Sequence, residues 1–140
     1  MSKRIIEALN TALGMELGAI VQYMWHHVMV EGIESPEVAE MFRKTAIDEM
    51  KHAEKLAERI DYYGGVPTTK PGEIRIGGGM RKMIEDDLDG ELTAIKTYKE
   101  FIRLAVEEGD PVTRLLLEEI LTDEEDHEYS WRTLLAKKKE

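Results

Sequence analysis

The sequence predicts an all-α fold: a four-helix bundle with a long crossover between the second and third helices. Three observations carry this expectation. Apolar residues recur in alternating steps of three and four along four stretches of the chain. Residues 64–79, rich in glycine and proline, divide those stretches into two pairs. The second pair also repeats the first, since a shift of 75 residues takes Glu16 to Glu91, Glu49 to Glu124 and His52 to His127. The same shift carries Leu17, Ala19, Ile20, Tyr23, Pro36 and Asp48 onto Leu92, Ala94, Ile95, Tyr98, Pro111 and Asp123.

The first helix is expected over about residues 2–31, with Ser2 as N-cap and Gly32 as the stop. Ser35-Pro36-Glu37 then supplies a capping serine, a first-turn proline and an early acid for a second helix over about 36–63, ended by Gly64-Gly65. The third helix is expected over about 80–108. Gly109-Asp110-Pro111 repeats the stop, cap and proline ahead of a fourth helix over about 111–136. The Lys137-Lys138-Lys139 tail suits the negative end of that helix.

Seam positions follow from the spacing. They are Ile6, Leu9, Leu13, Glu16, Ile20, Tyr23 and His27 on the first helix, and Val38, Phe42, Thr45, Glu49, His52 and Leu56 on the second. The third contributes Ile84, Leu88, Glu91, Ile95 and Tyr98, and the fourth Leu117, Ile120, Glu124, His127 and Trp131. Besides His27, the four glutamates with His52 and His127 thus occupy places where a bundle normally sets leucine.

These groups share one height. Glu16 lies 17 residues before the first turn, centred near residue 33, and Glu49 lies 16 after it. Glu91 and Glu124 stand 18 before and 15 after the turn near residue 109. A helix of this length spans about 42 Å, and the connection between the pairs reaches at most roughly 46–50 Å. It can therefore just return along the bundle, which makes the second and third helices parallel and relates the two halves by a two-fold axis.

Composition narrows the function. A chain of 140 residues, 42% apolar and 34% charged, suits one domain with a substantial core. With no cysteine, disulfides, thiolate metal sites and iron–sulfur clusters are excluded. A net charge of −10 disfavours nucleic acid and favours attraction of cations. No apolar run nears membrane-span length, and the start is too polar for a signal peptide, so the cytoplasm is the expected compartment.

Buried carboxylates are costly unless their charge is balanced. Two Fe²⁺ ions carry the four positive charges that four glutamates need. Oxygen-rich ligation with one imidazole per metal suits iron, or manganese, better than zinc. A single Glu-x-x-His carries little information. Two copies on seams, each with a further Glu 33 residues upstream, define a metal-ligand set: Glu16, Glu49, His52, Glu91, Glu124 and His127. In the symmetric arrangement Glu49 and Glu124 bridge, Glu16 and Glu91 serve one metal each, and the histidines complete the set. Gly77-Gly78-Gly79 lacks the ending of a phosphate loop. His26 and His27 read as packing or surface residues. Glu85-Asp86-Asp87 and Asp123 to Asp126, Glu124 aside, read as solvated, and Met15, Met24, Met29 and Met41 as packing residues.

Glu16-Leu17-Gly18-Ala19-Ile20-Val21-Gln22-Tyr23, Ile47-Asp48-Glu49-Met50-Lys51-His52-Ala53 and Ile120-Leu121-Thr122-Asp123-Glu124-Glu125-Asp126-His127 give the chain a resemblance to the ferritin-like superfamily. Within it the sequence is most similar to bacterioferritins, over nearly all its length. The resemblance implies a ferritin-like four-helix bundle and a ferroxidase centre in which two Fe²⁺ are oxidised by O₂ or H₂O₂. It assigns the bridges to Glu49 and Glu124 and sets Tyr23 beside the site as an accessory group, where a plain core tyrosine is the alternative. It also implies haem b bound by Met50 from each of two subunits, the alternative being a methionine in a helix contact.

Two departures bear on assembly and iron traffic. Only thirteen residues follow His127, and they finish the fourth helix where ferritins carry a short fifth helix, so a homodimer is expected alongside a higher homo-oligomer. Lys44 replaces the histidine proposed to pass iron inward. The rival readings are a rubrerythrin-like peroxidase, a manganese catalase-like enzyme and a non-catalytic metal- or haem-binding bundle.

Overall fold

In the computed structural model, which describes residues 3–136, four helices follow one another: α1 (Lys3–Met29), α2 (Ser35–Tyr62), α3 (Met80–Glu107) and α4 (Pro111–Leu134). The boundaries fall within about two residues of expectation, the usual uncertainty of fraying ends. Ser2 and the Lys137-Lys138-Lys139 tail lie outside the described residues. The start of α2 differs in kind from the expectation. Ser35 is its first helical residue and Glu34 the N-cap, with no side-chain capping bond. Pro36 in the first turn, where no backbone N–H is missed, stands in for the cap. Asp110 does cap α4, accepting the Thr113 backbone N–H at 3.1 Å.

Glycine ends α2 and α3 for a geometric reason. Gly64 and Gly109 take φ of 78° and 66°, the left-handed region that side chains avoid. That turn lets the Gly65 and Asp110 N–H groups reach back to the Ile60 and Ala105 carbonyls at 3.0 and 2.9 Å. Arg59, Tyr63 and Thr113 then gather on the Asp110 carboxylate and tie the end of α2 to the start of α4.

The crossover is tied to α1 along its length. Val66 and Thr68 bond the Asn10 side chain, the Gly72 N–H reaches the Gly14 carbonyl at 2.7 Å, and the Arg75 N–H reaches Gln22 at 2.7 Å. The strand of chain therefore climbs α1 from its first third to its last. Small residues allow the close approach, since a Cβ on Gly18 would stand 3.1 Å from the Gly72 carbonyl oxygen. α3 consequently runs antiparallel to α1, as the contacts of Tyr98 with Glu16 and Tyr23 with Glu91 require.

The interior consists of two apolar clusters with a charged layer between them. One centres on Leu9, Leu13, Leu56, Ile60, Tyr98 and Leu117. The other holds Ile84, Leu88, Trp131, Leu135, Tyr23 and Phe42, the residues to which the 75-residue shift carries the first set or from which it carries them. The seams rotate slightly from expectation. Ile5 and His26 are buried where Ile6 and His27 were expected. The face of α1 is wider than a two-helix seam because it packs against α3 as well as α2. Met15 and Met41 pack against the clusters, whereas Met24 and Met29, expected to pack, are exposed on the chain.

Candidate metal centre

The layer between the clusters contains all six residues singled out by the repeat. Glu16, Glu49, His52, Glu91, Glu124 and His127 are buried, the glutamates almost completely. They form two overlapping groups, Glu16–Glu49–His52–Glu124 and Glu49–Glu91–Glu124–His127, each with one ligand atom per residue within 4.8 Å of the others. Glu49 and Glu124 are common to both groups. The Glu-x-x-His spacing brings each histidine over the glutamate one turn earlier, with Nδ1 of His52 at 3.0 Å from Glu49 and Nδ1 of His127 at 3.2 Å from Glu124.

Several outer atoms of these residues are already hydrogen-bonded. Tyr98 donates to Glu16 Oε2 and Tyr23 to Glu91 Oε2, both at 2.6 Å. His52 Nε2 meets Asp123 at 2.7 Å and His127 Nε2 meets Asp48 at 3.0 Å. One inward atom on each of the six residues has no hydrogen bond: Oε1 of each glutamate and Nδ1 of each histidine. Buried polar atoms are normally partnered. Of the seven such orphans among the described residues, six are these inward atoms and the seventh is His26 Nε2. Six convergent lone pairs are what a pair of hard cations requires.

Electrostatics point the same way. Burial, with repulsion from Glu16 and Glu91, pushes Glu124 up to about 8. Burial and the charges of Glu124, Glu16 and Glu91 push Glu49 well above the carboxylate range, and burial raises Glu91. Burial alone pulls the histidines down. The nearby carboxylates of Glu16 and Glu124 and the bond to Asp123 outweigh it and push His52 up to about 9, while Glu124 and Glu91 push His127 up to about 11. Without metal, the site balances its negative charge with protons, and cations can replace them.

A cavity of about 150 Å³ reaches the carboxylates from the surface beside the crossover. Exposed Glu73, Gly90 and Thr93 line it at one end, and Glu16, Glu49, Glu91 and Glu124 at the other. Met50 lies outside the centre, 55% exposed, as its place one residue after Glu49 dictates. Lys44 is exposed.

Two expectations are corrected, for Asp86 with Asp87 and for Asp123, while His26 and His27 take the packing and part-exposed places expected of them. Asp86 and Asp87 are buried, because Lys82 pairs with Asp86 and both Gln22 and His26 bond Asp87 at 2.8 Å. His26 is fully buried as Asp87's partner, whereas His27 is half-buried against the Ala39 carbonyl. Asp123 has an exposed face but holds His52 rather than standing free in solvent. Tyr98, Asp48 and Asp123 were not singled out as site residues. The shift that pairs them with Tyr23 and with each other was the signal for all three.

A bundle with this crossover and this carboxylate–imidazole layer defines a ferritin-like protein, and residues 6–140 match the Ferritin-like domain family model. Among relatives, the bacterioferritin of Desulfovibrio desulfuricans is 42% identical over 125 residues, 89% of this chain and 70% of the relative. That of Brucella melitensis is 38% identical over 89% of this chain and 78% of the relative, and that of Mycobacterium leprae 37% over 94% and 84%. A solved structure of the Desulfovibrio desulfuricans bacterioferritin, described with its diiron site in different catalytic states, superposes with a TM-score of 0.89 at 39% identity. The match covers 94% of this chain and 77% of that one. The chain belongs to the bacterioferritin family. Among the described residues no helix is long and apolar enough to cross a membrane.

Proposed function

We propose that this protein is a ferroxidase, which binds two Fe²⁺ as substrate and oxidises them with O₂ or H₂O₂. The observation that carries the reading is the set of six inward, unpartnered atoms, one on each of Glu16, Glu49, His52, Glu91, Glu124 and His127. Glu49 and Glu124 serve both cation positions. Glu16 and His52 complete one, and Glu91 and His127 the other. Four carboxylates balance two dications, so loading exchanges the protons that balance the apoprotein for metal charge. Each iron gives up one electron, and the pair reduces O₂ with two protons to H₂O₂, or H₂O₂ with two protons to water.

The protein's own groups hold the geometry. Tyr98 and Tyr23 hold the outer oxygens of Glu16 and Glu91, leaving the inner ones free. Asp123 and Asp48 accept the Nε2–H of the histidines, which directs the Nδ1 lone pairs inward. The cavity beside the crossover gives small oxidants a route to the carboxylates.

Residues 1–140 act in this reading as one domain in the reducing cytoplasm, where Fe²⁺ persists. Exposed Met50 suits a haem b shared with a second copy, since thioether sulfur ligates haem iron. Stopped-flow mixing of Fe²⁺-loaded protein with each oxidant tests the activity. A fast phase with at least one is expected, and its absence in protein that binds two irons would overturn the reading. A Soret band in haem-supplied protein, lost in Met50→Leu, tests the haem assignment, and light scattering tests for a homodimer.

A further inference from the structure

The repeat that builds the centre breaks in one place. The shift of 75 residues pairs Asp87 with Ala12, His26 with Phe101, Gln22 with Thr97 and Trp131 with Leu56. Ala12, Phe101 and Leu56 are apolar and Thr97 bonds the Thr93 carbonyl of its own helix, whereas the other side of the centre carries a buried polar cluster. In that cluster the Gln22 Oε1 accepts the Arg75 backbone N–H, which fixes its Nε2 as the donor to Asp87 Oδ1 at 2.8 Å. His26 Nδ1 meets Asp87 Oδ2 at 2.8 Å, and both side chains are fully buried. Asp87 lies one helical turn before Glu91 and lines the same cavity as Glu16, Glu49, Glu91 and Glu124.

The charge of the cluster follows from its hydrogen bonds. His26 Nε2 has no partner, and its ring stands against Phe42. A second proton shared by the pair would leave a buried Nε2–H with nothing to bond, which proteins avoid more strictly than a bare lone pair. One proton on Nδ1 satisfies every donor. The cluster then carries the single negative charge of Asp87, and no counterpart exists beside Glu16, where Ala12 stands. Trp131 adds a weaker difference, since its indole N–H bonds the Tyr23 hydroxyl at 2.8 Å. A full charge in this interior outweighs that dipole.

We propose that Asp87, held by His26 and Gln22, makes the two cation positions unequal, so that the Glu91–His127 position binds the tighter ion and fills first. The proposal rests on the two-metal reading of the centre. Asp87 acts as a positioning residue through the field it sets.

Anaerobic titration of apoprotein with Co²⁺, followed by its visible absorption, should resolve two steps on the order of ten-fold apart in affinity. Asp87→Asn keeps the shape and removes the charge, and it should draw the tighter step toward the weaker one. The pair Asp87→Ala and His26→Phe, which copies the opposite half, should do the same. Wild-type crystals holding one equivalent of Co²⁺ give a readout that needs no variant, with anomalous density expected mainly beside His127. Equal density at both positions, density mainly beside His52, or a separation unchanged in Asp87→Asn would overturn the inequality while leaving the two-metal centre standing. Failure to bind Co²⁺ at all would overturn both.

Discussion

The Tyr98 hydroxyl on α3 donates a 2.6 Å hydrogen bond to Glu16 on α1, and Tyr23 on α1 returns the same bond to Glu91 on α3. The two contacts cross between the helices that no short turn joins. Each tyrosine is fully buried and pushed well above its usual range, by burial first and then by the carboxylates around it, so it stays a donor. Tyr98→Phe removes that donor and leaves a second Glu16 oxygen unpartnered. Because the acceptor is buried, loss of the bond should destabilise the fold by about 1–3 kcal/mol. Thermal unfolding of the apoprotein measures this, and a Tm equal to that of the wild type would show that Glu16 finds another partner.

Much of the centre was legible because the repeat states it twice. A polar residue on a seam is anomalous once and informative when a second copy falls at the same height, which is how Glu16, Glu91 and the Glu-x-x-His pairs declared themselves. Asp87 and His26 were not legible by the same logic. They have no copy, and an aspartate inside Glu85-Asp86-Asp87 has the pattern of a solvated face. Their burial comes from the packing of α1 on α3, a contact between helices 61 residues apart in this pair, which spacing along either helix does not encode. Ser35 shows the opposite limit. Its residue type suits a cap, but the backbone enters the helix one residue earlier and the hydroxyl is not used.

Asp123 and Asp48 orient the histidines rather than touching the inward atoms. His52 Nε2 lies 2.7 Å from Asp123, and that contact fixes which ring nitrogen faces Glu49. Asp123→Ala should leave the bundle folded, because the side chain is half exposed. It should weaken metal binding by roughly 10–100-fold, since the imidazole can then turn or change tautomer. Co²⁺ titration reads this. An unchanged affinity would mean that packing alone sets the ring.

Metal binding should couple to pH with a sign that distinguishes it from simple ion-pair stability. In the apoprotein Glu124 is pushed from 4.5 up to about 8, His52 from 6.5 up to about 9 and His127 from 6.5 up to about 11. All three hold protons more tightly folded than unfolded. Such a group contributes its full stabilisation below the unfolded value and loses it as pH rises through the folded one. The apoprotein should therefore lose stability from Glu124 between about pH 4.5 and 8, and from the histidines between about pH 6.5 and 11. Cations must displace the same protons, so the Tm gained on loading should be larger at about pH 8.5 than at about pH 6. A gain that shrinks over that interval would mean the site binds metal with its protons retained.

Glu124 belongs to both ligand groups, as Glu49 does, so its removal should cost more than one metal's worth of ligation. Glu124→Ala should abolish two-metal stoichiometry, because each position loses a carboxylate and the positive charge of the pair is no longer matched. The fold should survive. Burial and neighbouring carboxylates oppose ionisation of this group, so above about pH 8, where it does ionise, deleting it removes an unfavourable charge from the apoprotein. Against that gain stands the space left by the side chain, at about 24 cal/mol per Å³ of cavity that does not collapse. Glu124→Gln separates the two effects, since it keeps the volume while removing the charge. The glutamine variant should melt at or above the wild-type apoprotein and the alanine variant below the glutamine one. Retention of two tightly bound Co²⁺ ions in either variant would show that Glu49 alone bridges the positions.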